Sequence, residues 1–156
     1  MHIEHVVPET ALAALLPGAS YADAYRAVSE LHSLDAPSAA KRIMGRSPAW
    51  VRALMAIRNA IVVPLGLRAG HDGTGPHVGM FPVLSESASR VVLGLDDRHL
   101  DFRVAVDVVP APGLRRRITV TTLVRPHNRW GRIYLRLILP FHKLIVAAML
   151  AQADRR

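Results

Sequence analysis

Along Leu100 to Val109 the chain alternates apolar and polar positions with a period of two. Leu100, Phe102, Val104, Val106 and Val108 fall on one side of that alternation, and His99, Asp101, Arg103, Ala105 and Asp107 on the other. Period two places successive side chains on opposite faces of a strand, and a mixed polar and apolar pattern belongs to antiparallel sheets with one face buried. Four strands are predicted: Val78 to Ser85, Arg90 to Leu95, Leu100 to Val109 and, with Ile118, Val120, Thr122 and Val124 on one face, Arg116 to Val124. Asp96-Asp97-Arg98 and the PAPGL run at 110–114 supply turn chemistry between them.

The pattern then changes period. Asn128 is a good N-cap, and Ile133, Leu137, Phe141, Leu144, Ala148 and Met149 recur at helical spacing. Pro140 deletes one hydrogen bond of that helix and is expected to kink it. An earlier helix starts at Ser47-Pro48, with Ser47 read as its cap, and carries Trp50, Leu54, Ile57, Ile61 and Leu65 on one stripe. Residues 1–18 read as irregular, with a short helix at Glu9 to Leu16. Tyr21 to Val28 fits either a helix or a strand. His32 to Ser38 reads as a turn and Ala39 to Met44 as a short helical piece. The glycine-rich segment Arg68 to His77 reads equally as a lid or a connector. It lacks the phosphate-loop pattern and follows a helix. This order predicts one α+β domain over 1–156, a curved antiparallel sheet packed on a long, kinked C-terminal helix.

Composition narrows the classes. A length of 156 residues with 51% hydrophobic and 21% charged positions is a globular balance. With no cysteine, disulfides and thiol chemistry are excluded, which suits a reducing compartment and a cytoplasmic location. Glu4 and Glu9, with no base ahead of a short apolar run, make a poor signal peptide. Ile133 to Ala151 is interrupted by Arg136, Pro140, His142 and Lys143, so no membrane span is expected. The formal charge is +8, carried by eighteen Arg and two Lys. Arg129, Arg132 and Arg136 recur on the last helix and Arg115 to Arg117 form a tight run, but aromatics are only 5%. The basic positions therefore read as solvated faces and no nucleic-acid partner is expected.

Candidate chemistry is sparse. His99, Asp101 and Arg103 alternate on one strand, so they share a face. A His beside a carboxylate is the raw material of an acid–base pair, and Arg103 suits an anionic ligand group. The competing reading is a solvated salt-bridge ladder. Ser85, Ser87 and Ser89 offer no nucleophile at matching spacing. His127 and His142 are too far apart along a helix to share a small site. His142 is assigned to a carbonyl freed by Pro140. No metal-binding spacing is present, and neither a metal nor a cofactor is expected.

The segments PAWVRALMAIRNAIVVPLGL, GLDDRHLDFRV and HNRWGRIYLRLILPFHKLIVAAML together resemble the bacterial domain of unknown function 2867, over roughly residues 20–152. That resemblance implies a START-like, helix-grip fold, a curved sheet wrapped around a terminal helix with an apolar cavity between, and it implies no activity. Four strands are fewer than a full grip sheet holds. The leading expectation is a small apolar or amphipathic ligand between Phe102, Val104 and Val106 on the sheet and Leu137, Phe141 and Ile145 on the helix, with Arg103 as a polar contact. The alternatives are an enzyme using His99 and Asp101, and an interaction module or homodimer without ligand chemistry.

Overall fold

The structure, a computed structural model, describes residues 1–66 and 75–155. In chain order the elements are strand β1 (Ile3–Val6), a 3-10 turn at Thr10–Leu15, β2 (Tyr21–Ser29), α1 (Ala36–Gly45), α2 (Ala49–Val62), a second 3-10 turn (Val63–Leu65), β3 (His77–Val78), β4 (Phe81–Glu86), β5 (Arg90–Asp96), β6 (Leu100–Pro110), β7 (Arg116–Pro126), α3 (Arg129–Leu150) and a final 3-10 turn (Ala151–Asp154). The fold is α+β: an open seven-stranded sheet in the order β1-β2-β7-β6-β5-β4-β3, with antiparallel pairing between neighbours.

The period-two alternation resolves as predicted. Phe102, Val104 and Val106 pair with Val124, Thr122 and Val120 and face the helices. Tyr21 to Ser29 is a strand between β1 and β7, so the extended reading of that stretch is the correct one. Its alternation is hidden by Asp23 and Ser29, polar residues that are nonetheless buried. Residues 3–6, expected to be irregular, extend the sheet edge through pairing with β2. The turn predicted over 32–38 gives way to α1, because Asp35 caps its N-terminus through Ser38 N–H at 2.9 Å and Pro37 fits its first turn. Ser47 makes no capping bond. Pro48 occupies the cap position of α2, and Ser47 instead offers its carbonyl to Arg52.

The core is concentrated at one end. Ala36, Ala39, Ala40 and Ile43 of α1 bring that helix close to Val91, Val106, Val108 and Ile118, and Met149, Leu150 and Ala153 complete the cluster. Alanine lets helix and sheet backbones approach, so this end is solid. Ser29 donates to Asp154 and Arg42 to the Arg155 carbonyl, tying the C-terminus there. The other end of α3 is fixed by a clasp. Asn128 accepts from Gly131 N–H at 3.0 Å, and His127 N–H donates to the His99 carbonyl at 2.9 Å. A Cβ on Gly131 would lie 2.1 Å from that same carbonyl, so only glycine fits. Between the two ends α3 runs through Pro140 as one helix, with no N–H there for the Arg136 carbonyl.

Candidate functional site

Between the solid end and the clasp, sheet and helices enclose a cavity of about 200 Å³, open in part to solvent. Its floor is Phe81, Leu95, Phe102, Val104, Thr122 and Val124. Its roof is Met55 and Arg58 of α2 with Tyr134, Leu135, Ile138, Leu139 and His142 of α3. Phe81 and Phe102 meet edge to face at 5.4 Å. Arg58 bridges the two roof helices: its Nε donates to the Tyr134 hydroxyl at 2.9 Å and its guanidinium lies over that ring.

The polar wall is a three-residue network. Asp23 is 3% exposed on β2. The Tyr21 hydroxyl donates to Asp23 Oδ2 at 2.7 Å, and His142 Nε2 lies 3.4 Å from Asp23 Oδ1. The Tyr21 and His142 rings meet edge to face at 6.3 Å, and both line the cavity. Burial pushes the Asp23 carboxyl up, but the hydrogen bonds from His142 and Tyr21, with His142 and His5 close by, outweigh it, leaving Asp23 below the ordinary carboxylate value. Burial and the bond to Asp23 push the Tyr21 phenol up, so it stays a neutral donor. An ionised carboxylate therefore orients an imidazole at the wall of an apolar pocket. That arrangement suits anchoring of a polar ligand group, and it is one half of an acid–base site. The serines considered from the sequence do not join it: Ser87 is engaged with Arg90 in the exposed turn before β5.

The residues predicted from the sequence divide. Phe102 and Val104 line the cavity. Val106 is fully buried in the solid core, and Ile145 packs against the same core. Leu137 and Phe141 do not face the sheet: they lie on the outward side of α3, 68% and 49% exposed. The helical period was right, but from Ile133 to Leu144 the stripe it marked looks away from the cavity, whose roof comes from the adjoining stripe of Tyr134, Ile138 and His142, and only its end at Met149 reaches the core. Arg103 points to the opposite sheet face and pairs with Asp96 at 2.7 Å. His99 and Asp101 are not brought together. Asp101 accepts from Arg125 at 2.7 Å and from His127 at 2.9 Å. The His99 ring instead contacts the Leu65 carbonyl at 3.1 Å and the Asn128 amide at 3.0 Å. Because Asn128 Oδ1 already accepts from Gly131, its amide donates to His99 Nδ1, which puts the His99 proton on Nε2 toward Leu65. His142 contacts Asp23 rather than a carbonyl freed by Pro140. Most of the glycine-rich lid or connector lies outside the described residues.

Tyr21, Asp23 and His142 were missed because Asp23 and His142 lie 119 positions apart. The one signal was a lone Asp in an apolar stretch, which as a strand would have to be buried. A second hollow, about 440 Å³, lies on the outer sheet face among Arg26, Arg90, Asp107, Arg117 and Thr121. Its lining is as much apolar, with Val7, Leu12 and Val109, as polar, and Arg90 is paired with Asp107 at 2.6 Å. Among the described residues no cluster of side chains is arranged to hold a metal ion.

The sequence model of the family described as Protein of unknown function (DUF2867) matches residues 15–149, most of the chain and every element lining the first cavity. A comparison with curated proteins finds no match.

Proposed function

We propose that this chain, which belongs to the DUF2867 family, binds a small apolar or amphipathic molecule in the cavity between its sheet and its C-terminal helix. The observation that carries this reading is the composition of the wall: apolar side chains over most of it, with Tyr21, Thr122 and His142 meeting beside Asp23 and with Arg58, Asp97 and Tyr134 as its other polar members. Such a pocket binds by removing ligand apolar surface from water and orients the ligand through a few fixed polar groups. At about 200 Å³ it is smaller than the roughly 300–1,000 Å³ of drug-sized pockets, so the occupant is a small molecule or the end of a longer one. The element order, a sheet packed on a long terminal helix with two helices inserted after an early strand, supports the START-like resemblance.

Native mass spectrometry of the intact protein tests this. The expected spectrum shows a bound small molecule that is lost in Leu139→Trp, which fills the space from the roof, and weakened at least about tenfold in His142→Ala. A ligand retained undiminished by Leu139→Trp, or protein that is ligand-free from every host, would overturn the proposal.

A further inference from the structure

The outward side of the helices carries a second message, independent of the cavity. On α3, Trp130, Ile133, Leu137, Phe141 and Leu144 are all exposed and form one stripe. Arg129, Arg132, Arg136 and Lys143 each stand one position before a member of that stripe, so they form a parallel row about 100° round the helix. These four are exposed and make no ion pair among the described residues. On α2, Trp50, Ile57 and Ile61 are exposed in the same manner. Both helices cover the same sheet face and meet at Arg58 and Tyr134, so both stripes look away from the sheet. Exposed apolar area of this kind marks an interaction surface.

Charge identifies the partner. Helices α1, α2 and α3 contain eight basic residues and no carboxylate. The other twelve basic residues of the chain are matched by twelve acidic ones, so the whole formal charge of +8 resides in the three helices. We infer that the outward face of α2 and α3 docks on an anionic lipid surface, with the helices lying in the plane of the interface. Apolar side chains then enter the acyl boundary, the flanking cations meet lipid phosphates, and Trp50 and Trp130 sit at headgroup depth. A second copy of the chain fits poorly, because a two-fold contact through this face sets cations against cations. Residues 129–154 are long and apolar enough to cross a bilayer. A crossing would bury Arg136 and Lys143 in hydrocarbon and strip α3 from the sheet, whereas lying in the interface costs neither.

Sedimentation of the full chain with vesicles tests the inference. Binding is expected to phosphatidylcholine vesicles containing phosphatidylglycerol and to be much weaker to phosphatidylcholine alone. It should fall steeply toward about 1 M salt, where the screening length drops to roughly 3 Å. Leu137→Ser with Phe141→Ser should reduce partitioning at least about tenfold. Arg132→Glu with Arg136→Glu should reduce it about fivefold or more per position. Both pairs are exposed, and an unchanged Tm confirms that each variant folds. No binding to the anionic vesicles, or binding indifferent to the Leu137 and Phe141 changes, would overturn the inference. So would resistance to alkaline extraction, which indicates a span, or a salt-stable dimer lost in the Leu137→Ser, Phe141→Ser variant.

Discussion

Asp101 shows how a residue read as chemistry turns out to be architecture. It is 4% exposed, yet both its oxygens are satisfied, by Arg125 across the β6–β7 pair and by His127 just past the end of β7. Burial pushes its carboxyl up, but the hydrogen bonds from Arg125 and His127 and the Arg125 charge hold it below its ordinary value of 3.8. A carboxyl depressed by folding stabilises the native state in full above the unfolded value, and that stability is lost as pH falls through the lower native value. Thermal melts should therefore lose Tm as the pH drops below about 4. Asp101→Asn should cost about 1–3 kcal/mol near neutral pH and flatten the acid slope; an unchanged slope would assign it elsewhere, Asp23 being the other buried carboxyl with the same sign among the described residues. The alternation that placed Asp101 and Arg103 off the core face was legible in the sequence. Their partners were not, because a strand's own pattern says nothing about which side chains its neighbours present across the ladder.

At the scale of elements, the strands from β5 onward and the start of α3 at Asn128 could be read directly, since period and cap chemistry are local. The failures were elements whose partner decides the outcome. β1 and β2 are strands because each pairs with a neighbour, β2 also with the distant β7. Helix α3 was predicted inside out because it is apolar on two sides: periodicity reports that an apolar stripe exists, not what it is docked against. The restraints on α3 also have a kinetic consequence. Helices ordinarily fray from their ends, but here Leu150 is fully buried at one end and the Asn128–Gly131 clasp holds the other. The weak place is the middle, where Pro140 leaves the Arg136 carbonyl without its helical donor. Amide hydrogen exchange should run in the order opposite to fraying, fastest around residues 136–144 and slowest near Leu150. Uniform exchange along α3 would show that the proline has no such effect.

The whole molecule has two unlike halves. Around α1, small side chains bring helix and sheet into contact. Toward the Asn128 clasp, longer side chains of α2 and α3 hold the roof away from the sheet and enclose the cavity. The sequence indicated a sheet, a terminal helix and a space to look for between them, and Phe102 and Val104 lie on the floor of the cavity found there. It did not indicate which end would be hollow, because that depends on the Ala36, Ala39 and Ala40 face of a helix seen only in part. The unevenness makes volume a measurable property of the protein. Space that solvent does not fill disappears on unfolding, so hydrostatic pressure selects against it, with volume changes on the order of tens of mL/mol. Under pressure, NMR signals from Phe102, Leu135 and Ile138 should shift or broaden well before those of Ile43, Val106 and Ile118. Equal responses from both sets would mean the hollow is already filled by water or an occupant. Compression thus separates a compliant half from a rigid one, without any need to know what the compliant half holds.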